Sequence, residues 1–266
     1  MSTFAVFYNK KKSIRKNAER IIKQLKDKGY QIVAPHSPKA AFLLTLGGDG
    51  TVLNAVDRAV YHNLPILAVR LGKLGFLAEL QEKDVLTGVA RALEGKFKLD
   101  QRKMIGAAIY RHQRKVAQGY ALNDAVVSNS RLARIVDIET FVDGRRTANY
   151  RADGVIVSTA TGSTAYTLSA GGIVLAPLRK ELIITPICPH QLNWKSQLIP
   201  PDKEITLRTH FPRGQAMLLT LDGQKHFSLK SEDEIRIKGE QKKVDFIRFK
   251  PYNFKKLLKE KLSSAV

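Results

Sequence analysis

Ala41-Phe42-Leu43-Leu44-Thr45-Leu46 runs without a break into Gly47-Gly48-Asp49-Gly50-Thr51. Six largely apolar residues of strand-forming type meet three glycines, and Val52 to Tyr61 then reads as a helix. Phe4 to Tyr8, upstream, reads as a buried strand. Ile14, Ala18, Ile21, Ile22 and Leu25 follow at helical spacing, with Gly29 placed to end that helix. Downstream, Pro65 to Val69 is a further strand. Strands alternating with helices predict a Rossmann-like α/β domain with a parallel sheet. After Leu99 the texture changes to short β-rich runs. Ile135 to Val142 ends in the hairpin signal Asp143-Gly144, and runs at 205–207, 217–221, 235–237 and 244–247 resemble it. The expectation is an α/β domain over 1–99 and an all-β sandwich over 100–250. A basic amphipathic helix, Asn253 to Leu262, closes the chain.

The chain has 266 residues and a formal net charge of +21, which favours anionic partners without naming one. No compact aromatic-and-basic motif stands out, so no specific nucleic acid is expected. One cysteine, Cys188, excludes an internal disulfide and a multi-cysteine zinc site. The six histidines show no metal-ligand spacing. No apolar run is long enough to span a bilayer, and the N-terminus has the wrong order for a signal peptide. A soluble, cytoplasmic protein with no membrane partner is expected.

Three glycines let a backbone approach phosphates closely, and the following helix adds a positive end. Asp49 among them would repel phosphate, so it makes sense as a proton acceptor or metal helper; aspartate and glycine also make ordinary tight turns. Neither G-x-x-x-x-G-K-[ST] nor a helix-opening G-x-G-x-x-G is present, so any phosphate cradle is of another kind. Asn123-Asp124 offers an amide beside a carboxylate, suited to a ribose or base edge, or to a strand-end turn. Thr159 to Gly172 is dense in hydroxyls and small residues with one aromatic, Tyr166, able to stack on a base. Cys188-Pro189-His190 is not read as a catalytic pair, because such pairs come from distant segments.

Taken in order, these segments resemble the NAD kinase family over almost the whole chain. Gly47 to Thr51 is similar to its GGDGT motif, shared with lipid kinases and, more distantly, phosphofructokinases. Leu74-Gly75-Phe76-Leu77, Asn123-Asp124, the stretch Asp153 to Gly172, Thr185 to His190 and Asp222-Gly223-Gln224 complete the series. The resemblance implies transfer of a phosphoryl group from ATP, another nucleoside triphosphate or polyphosphate to the adenosine ribose of NAD, with Mg2+. It implies a C-terminal helix returning to the first domain, and a homodimer or homotetramer. It implies that Asp49 accepts the proton of the 2′-hydroxyl and that Gly50 approaches the phosphates. Asn123 and Asp124 would hold the adenosine part. Thr161 and the run Thr164, Ala165, Tyr166, Thr167, Leu168 and Ser169 would line the pocket. Arg151 and Asp153 would contact NAD within the oligomer, and Arg134, Cys188 and Gln224 complete the set. The sequence departs from the family at Asp124, where a glutamate is usual. Asn54 stands where arginine is frequent, and Arg70 where asparagine is frequent. The competing readings are a non-catalytic NAD-binding sensor and a GGDGT-type lipid kinase. Retention of Asp49 weighs against the first and the hydroxyl-rich stretch against the second.

Overall fold

The computed structural model describes residues 3–9, 12–35, 37, 39–130, 135–190, 195–212 and 216–263. The chain divides into two compact units, one of residues 1–102 with 243–266 and one of residues 103–242.

The first unit opens with β1 (Thr3–Tyr8), α1 (Lys12–Asp27), β2 (Ile32–Val33), β3 (Ala40–Gly47), α2 (Asp49–Tyr61), β4 (Ile66–Arg70), β5 (Leu80–Gln81) and α3 (Val85–Leu93). Strands β1 to β5 pair in parallel: β1 joins β2 and β3, and β4 joins β3 and β5. The run Phe42, Leu43, Leu44 and Leu46 is almost wholly buried, as a strand covered on both faces must be. Phe4 stacks on Phe42 with ring centroids 5.1 Å apart. Helix α2 buries Val52, Ala55, Val56 and Ala59, one face at i, i+3, i+4 and i+7, and turns Asn54, Asp57 and Arg58 outward. Full burial of each valine contributes roughly 1.5–3 kcal/mol. Gly29, at φ +83, follows α1 in the left-handed conformation that glycine adopts freely.

The second unit carries β6 (Lys98–Arg111), β7 (Arg114–Ala121), β8 (Asp124–Asn129), β9 (Val136–Val142), β10 (Arg145–Ala152), β11 (Gly154–Ser158), the single-turn α4 (Tyr166–Ser169), β12 (Leu182–Ile187), β13 (Gln197–Ile199), β14 (Ile205–His210), β15 (Met217–Leu221), β16 (Lys225–Leu229) and most of β17 (Glu234–Arg248). One layer runs β10-β9-β14-β17, with β6 beside β17 and β7 beside β6. The other runs β13-β12-β11-β8-β15-β16. Ile105, Val127, Ile138, Tyr150, Val155, Leu207, Leu219 and Ile235 fill the core they share. Asp143-Gly144 takes the paired left-handed conformation of a two-residue hairpin, at φ +48 and +75, and Asp222-Gly223, at φ +52 and +63, opens the three-residue turn between β15 and β16.

The end of β17 adds to the first unit's sheet, Phe246 lying parallel to Ile66, and α5 (Phe254–Ser263) follows. The C-terminal segment is anchored within that unit: the Tyr252 hydroxyl donates to the Phe76 carbonyl at 2.9 Å, and Lys261 Nζ donates to the Leu74 carbonyl. An α/β unit with a β-rich second unit and a returning helix is the expected architecture. No helix among the described residues is long and apolar enough to cross a membrane.

Candidate active site

Residues proposed from sequence fall in both units. Asp49 and Gly50 belong to the first, and the other described ones to the second. Arg134 lies outside the described residues.

In the first unit the site begins where β3 ends. Ligands of open α/β sheets bind beyond the carboxyl ends of their strands. Gly47 cannot carry a side chain, because its Cβ would stand 2.2 Å from Thr51 Oγ1. Gly48 is the N-cap of α2, so Asp49, Gly50 and Thr51 form its first turn rather than a loop before it. A negative charge there is favoured by the helix end. The Asp49 carboxylate has a fixed seat: Oδ2 accepts the Phe76 N–H at 2.8 Å and Oδ1 the Leu77 N–H at 3.2 Å. Asp49 remains half-buried, so each oxygen keeps a lone pair and the group is not sealed from a substrate. Gly75 lies against it: a Cβ at that position would fall 2.2 Å from Oδ1.

The peptide groups that hold Asp49 are themselves held from the far end of the chain. Leu77 donates its N–H to Asp49, while its carbonyl accepts from Arg248 Nη1 at 3.1 Å. Phe76 likewise donates to Asp49 and accepts from Tyr252. Arg102 and Arg248 lie over the Tyr252 ring, at 4.7 and 4.9 Å, and share Asp100. Burial alone would push the Asp100 carboxyl up; the hydrogen bonds and charges of Arg102 and Arg248 outweigh it and hold the group below its ordinary value. Two of the three departures from the family lie near this site. Asn54 Nδ2 donates to the Gly50 carbonyl at 2.9 Å, a local helix bond, and Arg70 ends β4 beside Gly47.

In the second unit, the residues from β8 and from the hydroxyl-rich stretch are laid against one another. Thr159 Oγ1 donates to the Leu122 carbonyl at 2.6 Å, and the Thr159 N–H to the Asn123 carbonyl at 2.9 Å. Gly162 sits so close that a Cβ would be 2.1 Å from the Asn123 carbonyl oxygen. Thr159 to Ser169 is therefore a packed structure, a single 3-10 turn (Gly162–Thr164) followed by α4, and not an open loop. Thr161 is buried, and Thr164 Oγ1 donates to its carbonyl at 3.3 Å. Ala165, half-buried, joins that turn to α4. Thr167 is fully buried with its hydroxyl spent on Ser158 at 2.8 Å, whereas Leu168 is half-buried and Ser169 exposed. Tyr166 is 46% exposed. Burial pushes its hydroxyl up first, and Cys188, Asp153 and Asp124 around it add to the shift. The phenol, the thiol and the two carboxyls are thus one neighbourhood. Asp153 is tied to the end of β12 by its N–H to the Ile187 carbonyl at 2.9 Å. Arg151 is exposed, and its carbonyl accepts the His190 N–H at 2.9 Å. Cys188 is exposed and holds a left-handed φ of +46. Gln224 is exposed in the β15–β16 turn.

Asp222 was not singled out as a functional residue by sequence. Its carboxylate accepts the N–H groups of Leu122, Asn123 and Asp124 at 2.8, 2.7 and 3.2 Å. The signal available was the family-like segment Asp222-Gly223-Gln224, of which only Gln224 was carried into the site. Asp124, 5% exposed, is pushed up from 3.8 to about 7, by burial first and by the Asp222 charge second. A raised folded-state value means that the folded chain holds this proton more tightly than the unfolded one. The stability it contributes is full below pH 3.8, falls as pH rises towards about 7, and is level above that. Wild type should therefore lose stability between pH 5 and 7, by up to about 1.4 kcal/mol per pH unit. Asp124→Asn should lack that loss. Urea melts of both proteins at the two pH values read the difference, and parallel pH dependence in the two would refute it.

Residues 7–97 match the ATP-NAD kinase N-terminal domain, and residues 122–249 match the ATP-NAD kinase C-terminal domain. An NAD kinase of Carboxydothermus hydrogenoformans is 43% identical over 227 residues, covering 85% of this chain and 81% of that protein. One from Natranaerobius thermophilus is 35% identical over 228 residues, covering 85% and 79%. Among solved structures, yeast NADH kinase complexed with NADH superposes with a TM-score of 0.87 at 22% identity, covering 99% of this chain and 88% of that one. An NAD kinase from Archaeoglobus fulgidus in complex with ATP gives 0.78 at 24% identity, covering 97% and 98%. Those two likenesses speak for the fold alone. With both domains matched in order and relatives of this identity over most of its length, the chain belongs to the NAD kinase family.

Proposed function

We propose that the protein transfers the γ-phosphoryl group of ATP to the 2′-hydroxyl of the adenosine ribose of NAD, giving NADP and ADP. The observation that carries this reading is the Asp49 carboxylate, seated on two backbone N–H groups at the mouth of a glycine turn and left half-open. A ribose hydroxyl is a poor nucleophile until its proton is accepted. Asp49 takes that proton as the hydroxyl oxygen bonds to the γ-phosphorus. The bond from phosphorus to the β–γ bridging oxygen breaks, and ADP leaves with the electron pair. The N–H groups of the glycine turn and the start of α2 supply positive ends to the phosphates. In the second unit, Asn123, Asp124, Thr161 and Tyr166 with its neighbours Asp153 and Cys188 hold the dinucleotide.

Mg2+ enters with the donor as part of the substrate. Among the described residues no group of three or more His, Cys, Asp or Glu side chains is gathered to hold a metal. A hard ion bound mostly through substrate phosphates and one or two carboxylates suits such a donor set. A cytoplasmic location and assembly as a dimer or tetramer belong to the same proposal. The first is supported by a lone cysteine and the second by exposed Ile173, Leu178 and Leu198, and light scattering tests the assembly.

The deciding assay offers the purified chain NAD or NADH with Mg2+ and either ATP or polyphosphate, and reads product with an NADP-specific dehydrogenase. Formation of NADP from NAD and ATP is expected. Absence of any 2′-phosphorylated product with every donor would sink the proposal.

A further inference from the structure

The start of β8 hangs from one side chain a hundred residues away. Asp222 occupies the first position of the turn between β15 and β16, at φ +52. Its carboxylate collects three successive N–H groups, from Leu122, Asn123 and Asp124, and its own N–H donates to the Asp124 carbonyl at 3.0 Å. Consecutive N–H groups converging on one carboxylate favour its charged form. The Asp124 carboxyl lies close by, 5% exposed, within reach of the Asp222 charge.

Two neighbouring carboxyls cannot both ionise cheaply, and the one with more donors keeps the charge. The charged and titratable groups around the pair leave that division intact. Burial pushes the Asp222 carboxyl up from its ordinary value, and the three N–H groups and Lys225 oppose that; Lys225 also donates to the Tyr120 carbonyl at 3.4 Å. Tyr166 faces Asp124 from α4, with Asp153 and Cys188 about it.

We propose that Asp222 is a positioning residue for NAD: it fixes the Asn123–Asp124 backbone and, by keeping the pair's negative charge, presents Asp124 to the dinucleotide as an uncharged acid. This rests on the NAD kinase reading. The pair titrates as a unit, so its effect belongs to the pH profile of binding rather than to one group in isolation.

The test is the KM for NAD and kcat from pH 5.5 to 8.5 for wild type, Asp222→Asn and Asp124→Asn. Wild-type KM should break near pH 7, where Asp124 titrates. Asp222→Asn should raise KM about tenfold, the scale of one charge-assisted hydrogen bond lost, with kcat nearly unchanged. Its break should move to lower pH, because the like charge is gone. Asp124→Asn should abolish the break. A break that stays put in Asp222→Asn, or persists in Asp124→Asn, overturns the inference; the second arm decides even where Asp222→Asn does not fold. Wild type that makes no NADP at any pH refutes the kinase reading instead. The 13C shift of the Asp124 carboxyl then still reports whether it titrates near 7 and whether Asp222→Asn lowers it.

Discussion

Asp49→Asn is expected to lower kcat by ~10²–10⁴-fold, the usual contribution of a positioned general base, while NAD still binds. Asparagine offers one oxygen where aspartate offers two. It can accept from Phe76 or from Leu77, and its amide then points a donor at the other N–H. Losing one charge-assisted bond costs about 1.5–3 kcal/mol, so some fall in melting temperature accompanies the change. The separation of binding from turnover is what identifies the role. Titration calorimetry with NAD and a coupled NADP assay on the same preparation measure both. Near-normal turnover would remove Asp49 from the chemistry, and loss of NAD binding with turnover would make it a structural residue.

Gly75→Ala tests the seat rather than the base. The alanine Cβ would stand 2.2 Å from Asp49 Oδ1 and 2.7 Å from its Cγ. The carboxylate is the only part of that contact with torsional freedom, so it swings off Phe76 and Leu77. Displacing a reacting group by about 1 Å costs on the order of 10²-fold in rate. The fold loses far less, because the backbone at Gly75 needs no left-handed conformation. The expected result is kcat down about 10²-fold with KM for NAD little changed and a folded protein by thermal melt. Wild-type kcat in this variant would show that the position of Asp49 is not critical.

Much of this was legible in advance. The alternation of buried strands and amphipathic helices declared the α/β unit. The paired turn residues at 143–144 declared a hairpin. Residue types named Asp49, Asn123, Asp124 and Tyr166. What sequence could not show is what holds them. The partners of Asp49 are backbone N–H groups of Phe76 and Leu77, and an N–H is carried by every residue but proline. Asp222 reaches Leu122 across 100 positions, a contact that no local pattern encodes. The strands β6 and β7 were missed because their outward faces are polar or exposed, as at Lys98, Leu99, Gln101, Arg114, Lys115 and Val116. Thr159 to Ser169 reads as hydroxyls free to meet a ligand; its Thr159 and Thr167 side chains instead bond inside the fold.

The loop beside Asp49 is clasped by residues 171 to 187 positions further on: Arg248 grips Leu77, Tyr252 grips Phe76 and Lys261 grips Leu74. On a translating ribosome, β1 to β4 and α2 emerge long before any of these three exists. A nascent chain can thus own its acidic residue and its glycine turn while still lacking the latch that aims them.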